Sequence, residues 1–235
     1  MSEMGNVDFA AMLERLQALQ PNEEASRKAA HEESLARLQE WRTSVAQAVP
    51  NWPFANRASL WWQKLDTRLR NVVDTWRPVV FDQERPKAGV SMVVFGVSGA
   101  GKSTSVWTAL RESVMHIRLK VESGSDFRGW CNVVWVSELQ LVAEQAQRKA
   151  DLFRKACAAD VLILDELGHG NGHVAPIGQA PVIMALLSDR YDQGKTTSAT
   201  VGLSPKALME KYGTGVVRRL QERGTVLDLL EVKRG

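Results

Sequence analysis

Only two cysteines, Cys131 and Cys157, occur in 235 residues. Two cannot build a disulfide-dense secreted scaffold, and a cysteine-based metal site needs more ligands at closer spacing. Both sit in apolar stretches, so buried free thiols in a reducing compartment are expected. No apolar run approaches the ~20 residues that span a bilayer, so no membrane association is expected. The opening residues, Met1-Ser2-Glu3-Met4-Gly5, lack the basic stretch and apolar core of a secretion signal, and the expected location is cytoplasmic. A strong charge of one sign is also missing: 30 basic and 27 acidic side chains leave +3. Residues 1–50 carry eight acidic and five basic groups, so the positive excess lies in the remainder. A nucleic-acid partner favours that distribution without demanding it. No internal repeat or low-complexity tract is present. Hydrophobic content of 44% and charged content of 24% are those of a soluble globular chain.

The apolar periodicity organises what is there. Val7–Leu19 reads as a helix, broken by Pro21 and Asn22, and Asn22–Val49 as a second helix. In the second, Ala30, Leu35, Leu38, Trp41, Val45 and Ala48 recur at three- and four-residue steps. Together they predict a helical hairpin with too little core to stand alone, one that docks on a partner or self-associates. Pro50-Asn51-Trp52-Pro53 punctuates the chain and separates an N-terminal helical region, 1–50, from a larger domain, 51–235. Ala58–Trp76 reads as a helix. Five of the eight tryptophans precede residue 77, which fits core packing of a small helical layer or a partner-facing surface.

From residue 89 strand and helix signals alternate. Strands are expected at Val90–Phe95, Cys131–Val136, Val161–Leu164 and Thr196–Val201. Helices are expected at Thr104–Val114, Ser137–Gln147, Asp151–Ala159 and Ala180–Asp192, with another opened by Ser204-Pro205. Such alternation implies an α/β fold, a doubly wound parallel sheet flanked by helices.

Between the first strand and helix lies Gly96-Val97-Ser98-Gly99-Ala100-Gly101-Lys102-Ser103, followed by Thr104. It matches G-x-x-x-x-G-K-[ST] completely and in the required strand–loop–helix setting. Glycines let the backbone wrap a phosphate chain, and successive N–H groups with the helix N-terminus face its charge. Lys102 is suited to the β- and γ-phosphates and the Ser103 hydroxyl to Mg²⁺, so ATP and Mg²⁺ are the expected ligands. Val161-Leu162-Ile163-Leu164-Asp165-Glu166 describes a buried strand whose C-terminal tip carries two acids, at the edge where parallel sheets bind ligands. Asp165 is assigned to Mg²⁺, directly or through water, and Glu166 to polarising the attacking water.

Together the loop, Asp165-Glu166-Leu167-Gly168, Leu203-Ser204-Pro205 and Tyr212-Gly213 through Arg218-Arg219-Leu220 resemble the DnaC/IstB-type AAA+ ATPases over about residues 54–235. Trp135-Val136-Ser137-Glu138-Leu139 is similar to the family's segment after its second strand. The resemblance implies a P-loop NTPase sheet of AAA+ type without a helical lid, ATP hydrolysis, and homo-oligomerisation with ATP. It also implies DNA, single-stranded or duplex, and a replicative helicase or a transposase as partners. It further implies an arginine inserted from a neighbouring subunit toward the γ-phosphate, matching Arg219, with Arg218 adjacent. One departure stands out. The family's asparagine before the Leu-Ser pair, which orients the attacking water, is Gly202 here. A glycine has no side chain to hold a water, which implies slow hydrolysis or substitution by Thr200, Ser198 or Thr197.

Two stretches stay open on sequence grounds. His116–Trp130, with Arg118, Lys120, Phe127 and Arg128, fits either a single-strand-binding segment or a plain surface hairpin. His169 and His173, spaced by glycines, read as a loop rather than a metal site, since no second ligand cluster accompanies them. Three functional readings follow from the resemblance and the site. The leading one is a loader of a replicative helicase. The others are a transposition helper assembling on duplex DNA and an ATP-gated binding module with little turnover.

Overall fold

A computed structural model describes residues 9–48, 91–125, 127, 132–168, 179–222 and 224–229. Five parallel strands form its centre: β1 (Ser91–Phe95), β2 (Val133–Ser137), β3 (Val161–Leu167), β4 (Thr196–Val201) and β5 (Gly224–Asp228), in the order β2-β3-β4-β1-β5. Seven described helices accompany them: α1 (Phe9–Ala48), α2 (Lys102–Glu122), α3 (Glu138–Ala146), α4 (Asp151–Ala158), α5 (Gln179–Asp192), α6 (Pro205–Tyr212) and α7 (Thr214–Gln221). The P-loop sheet flanked by helices expected from the alternation is thus observed. β1, which carries the glycine loop, is not adjacent to β3, which carries the acids. β4 lies between them and contributes its own tip to the same edge.

The three central strands β3, β4 and β1 are buried on both faces over most of their length, as parallel strands covered by helices must be. One apolar core, with Met92, Val94, Leu110, Val121 and Ile163, lies under α1 and α2. The other, with Phe95, Leu141, Leu164, Leu186, Tyr212 and Leu220, lies under α3 to α7. The capping signals act as read. Ser137 accepts the Gln140 N–H in a full capping box, and Ser204 caps α6 with Pro205 in its first turn.

The expected N-terminal hairpin is corrected: Phe9–Ala48 is one 40-residue helix that runs through Pro21. An internal proline removes one backbone donor and crowds the preceding turn, at about 3 kcal/mol. It does not cancel the ladder on either side, and the Glu-, Ala-, Arg- and Leu-rich sequence beyond it propagates the helix. Nor is the predicted face continuous. Ala30 is exposed, while Leu38, Trp41 and Val45 are buried in the same core as α2. α2 extends past the expected Val114 because Val121 continues its buried stripe. Arg118 and Lys120 therefore ride on a helix, where Arg118 pairs with Glu122 at 2.6 Å. Phe127 is 3% exposed with its ring 5.7 Å from Trp41, so it packs the core and is no base-stacking platform. The remaining readings over 1–8, 49–90, 128–131 and 169–178 lie outside the described residues. They include the 50/51 boundary, Ala58–Trp76, Arg128, Trp130, Cys131, His169 and His173. No helix among the described residues is long and apolar enough to cross a membrane.

At the end of the sheet opposite the loop, Arg190 of α5 is fully buried. Its Nη1 donates to the carbonyls of Ala156 and Ala159 at 2.7 and 2.6 Å, and Nη2 to that of Thr196. Its Nε donates to Thr197 Oγ1 at 2.9 Å. Lys195 Nζ adds a bond to the Cys157 carbonyl at 2.8 Å. Two cations thus satisfy the carbonyls left open where α4 ends. Cys157 is half-buried rather than buried, and burial, with Asp189 beside it, pushes its thiol up to about 11. It stays protonated near neutrality, as an unreactive thiol does.

Because Trp41 is part of the shared core, Trp41→Ala is expected to cost about 3–5 kcal/mol in urea unfolding followed by circular dichroism. An unchanged unfolding midpoint would show α1 to be a separate module.

Candidate nucleotide-binding site

The loop is shaped by its glycines. Gly99 and Gly101 adopt φ of 76° and 90°, which a side chain strains to reach. A Cβ on Gly96 would stand 3.1 Å from Leu229 and 3.2 Å from Ala100. Gly96 N–H donates to the Val201 carbonyl at 3.1 Å, which fixes the loop to the tip of β4. α2 begins immediately after Gly101, and its N-terminal N–H groups with their dipole face the loop. Lys102 Nζ donates to the Val97 carbonyl at 2.9 Å, bridging the loop. Burial lowers the lysine's pKa, and the nearby Asp165 and Glu166 carboxylates oppose that shift.

The acids sit on a bulge. Leu164 pairs with Ala199, yet Leu167 pairs with Val201, so β3 carries one residue more than β4 across this interval. Glu166 takes up the extra residue at φ 58°, a left-handed conformation for a side chain with a Cβ. Its carboxylate is turned to solvent while Leu164 and Leu167 stay buried. The cost is of order 1–3 kcal/mol, of the kind that persists where surrounding contacts enforce it. Thr200 of β4 supplies such a contact by accepting the Glu166 N–H at 2.9 Å.

Asp165 is the junction of the site. Its Oδ1 accepts the Ser103 hydroxyl at 2.8 Å and the Thr200 hydroxyl at 2.5 Å. Its Oδ2 accepts the Trp135 indole N–H from β2 at 3.2 Å. The structure therefore brings Ser103 and Asp165 together, with Lys102 and Glu166 close by. An alcohol beside a carboxylate is a hard-oxygen donor pair suited to Mg²⁺ that keeps waters and shares phosphate oxygens. Among the described residues no cluster of three His, Cys, Asp or Glu forms an all-protein metal cage.

Of the three side chains suggested to replace the missing asparagine, only Thr200 reaches the acids. Ser198 Oγ accepts the Met92 N–H at 3.3 Å, and Thr197 Oγ1 is held by Arg190. Gly202 is exposed, with open space where a side chain would stand. Trp135 carries no site signal in the sequence, because strand alternation says which face it occupies but not that its N–H meets Asp165. Arg218 and Arg219 lie elsewhere, on α7. Arg218 is largely exposed and pairs with Glu222 at 3.5 Å. Arg219 folds back over the Tyr191 ring, 5.9 Å from its centroid, and donates to the Gly215 carbonyl at 3.2 Å. Its buried Nε has no hydrogen-bond partner among the described residues.

Residues 92–225 match the family model described as the viral superfamily 1 RNA helicase core domain. No curated protein sequence matches the chain. Among solved structures, the crystal structure of DnaI is similar at a TM-score of 0.55 and 14% identity, over 72% of this chain and 87% of that one. The DnaC helicase loader is similar at 0.48 and 19%, over 69% and 99%. DnaA from Aquifex aeolicus, bound to AMPPCP, is similar at 0.47 and 15%, over 70% and 47%. At such identities the likeness is one of fold. With more than half of its length matched, the chain belongs to the P-loop family described as the viral superfamily 1 RNA helicase core domain, and its fold is that of the DnaC/IstB-type AAA+ ATPases its motifs resemble.

Proposed function

We propose that this chain is an ATP-hydrolysing AAA+ protein of DNA replication that loads or remodels a replicative helicase. The observation that carries the nucleotide chemistry is the 2.8 Å contact between Ser103 and Asp165 beneath a complete phosphate loop. ATP would lie along Gly96–Thr104, with the backbone N–H groups and Lys102 on its phosphates. Ser103 and Asp165 would hold Mg²⁺, which when bound neutralises phosphate charge. Glu166, exposed beside them, would take the proton of the attacking water. Thr200, hydrogen-bonded to Asp165 and to the Glu166 backbone, would fix the distance between the two acids in place of the asparagine lost at Gly202. Arg219, or the more exposed Arg218, would reach a neighbour's γ-phosphate in an assembled form, making turnover depend on oligomerisation. The helicase partner and DNA rest on the motif resemblance, with α1 or the residues before it offered to the partner.

The family match to an RNA helicase core supports a second reading, a motor that translocates on nucleic acid. A strand-displacement assay separates the two. A loader stimulates a cognate helicase and displaces no strand by itself. The transposition-helper reading predicts cooperative ATP-dependent filaments on duplex DNA instead, and the gated-module reading predicts turnover near background.

The decisive measurement is steady-state ATP hydrolysis with no DNA, single strands and duplex, alongside mass measurement with a non-hydrolysable ATP analogue. Lys102→Ala is expected to abolish nucleotide binding. Glu166→Gln is expected to retain binding and lose about 10²–10⁴-fold in turnover. A Glu166→Gln protein that turns over normally would remove Glu166 from the chemistry. Glu166→Gly should be equally inactive yet more stable by about 1 kcal/mol, because glycine relieves the left-handed backbone. Equal unfolding midpoints for Glu166→Gly and the parent would contradict that. Thr200→Val, isosteric without the hydroxyl, should slow turnover at least about tenfold with nucleotide affinity unchanged. Equal turnover would show that Thr200 has no part in placing the acids.

A further inference from the structure

Two segments singled out by resemblance, Ser137-Glu138 and Tyr212-Gly213, have no part in the site as described so far. The structure joins them. Glu138, the first residue of α3, is 1% exposed. Its Oε1 accepts the Tyr212 hydroxyl at 2.6 Å, and its Oε2 accepts the Gly168 N–H at 2.9 Å. A carboxylate taken from water costs several kcal/mol unless donors replace the lost hydration, and here each oxygen has one. An apolar residue would fill this place more cheaply but would connect nothing.

Each donor belongs to a different part of the catalytic apparatus. Gly168 is two residues beyond Glu166, on the turn that ends β3. That turn has little freedom: Gly168 has φ 81°, and a Cβ there would stand 2.7 Å from Leu203 Cδ1. The preceding Leu167 carbonyl accepts the Gly202 N–H at 3.1 Å. Tyr212 is the last residue of α6. One residue, Gly213 at φ 85°, separates it from α7, which bears Arg218 and Arg219. Burial first, and then the bond to Glu138, push the Tyr212 phenol far above its usual range, so it remains a donor throughout the working pH range.

We infer that Glu138 and Tyr212 form a bridge coupling the turn that follows the acids of β3 to the start of α7. Through it, nucleotide occupancy of a subunit's own loop is felt at Arg218 and Arg219 on that subunit's α7. Glu138 and Tyr212 are positioning residues, since neither is placed against the phosphates. The inference rests on the nucleotide reading of Gly96–Ser103 and adds a direction of communication to it.

Amide hydrogen exchange on the full chain tests it, at a dilution where light scattering shows single subunits and with a non-hydrolysable ATP analogue as probe. In the parent protein the analogue should slow exchange at residues 96–103 and also at 214–221. Tyr212→Phe should keep the first effect and lose about tenfold of the second, the value of one hydrogen bond to a charged group. Unfolding midpoints confirm that the variant is folded. Glu138→Gln, which keeps one acceptor of the same size, is the second variant and stands in if Tyr212→Phe is not folded. Retained slowing at 214–221 in both variants overturns the bridge, as does slowing confined to 96–103 in the parent. No slowing at 96–103 in the parent sinks the nucleotide reading itself, and the bridge with it.

Discussion

Everything at the upper edge of the sheet depends on the carboxylate of Asp165. Hydroxyls from α2 and β4 and an indole N–H from β2 converge on its two oxygens. Three elements that share no sequence neighbourhood are thereby referred to one group. Remove it, and Ser103, Thr200 and Trp135 each lose the partner that sets their orientation, while the loop and the bulge lose their common reference. Hydrogen bonds to an ionised acceptor contribute about twice as much as neutral ones, so a carboxylate suits this place better than an amide. A carboxylate is also a hard-oxygen donor suited to a divalent cation, so the group that assembles the edge is the one proposed for Mg²⁺.

The edge is not relaxed. β3 carries an extra residue where the acids stand, and Glu166 holds a backbone conformation that glycine would adopt more easily. The bulge turns Glu166 outward while Leu164 and Leu167 remain in the core. A regular strand would alternate the faces of Asp165 and Glu166 but keep both flush with the pleat. Strain is stored at the position of the protruding acid, and Thr200 secures it from the adjacent strand.

Much of this was legible in the sequence, for identifiable reasons. β1 and the first four residues of β3 are near-continuous apolar runs because helices cover both faces. Ser137 and Ser204 announce their helices through capping chemistry that acts within four residues. The phosphate loop is local in the same way. What escaped was non-local. Pro21 reads as a break because propensity weighs one residue, while the helix is decided by the ladder on both sides. Phe127 fits a stacking aromatic or a plain surface hairpin equally well until α1 places Trp41 beside it. Nothing near Trp135 or Glu138 in sequence names the residues they meet, which lie some 30 to 74 positions away. The left-handed backbone of Glu166 also leaves no mark in composition, since a glutamate there breaks the usual rule.

The buried Arg190 has a consequence for how the molecule comes apart. Its guanidinium is bonded to backbone on both sides of the α4–β3 junction and at the start of β4. Opening any one of these segments strands the others around a dehydrated cation. The lower end of the sheet is therefore expected to open as a single cooperative unit. At the upper end the corresponding clasps are the carboxylates of Asp165 and Glu138, set among glycines and a bulge. The two ends of the sheet are thus gathered by opposite charges, a buried cation collecting carbonyls at the base and carboxylates collecting donors at the top.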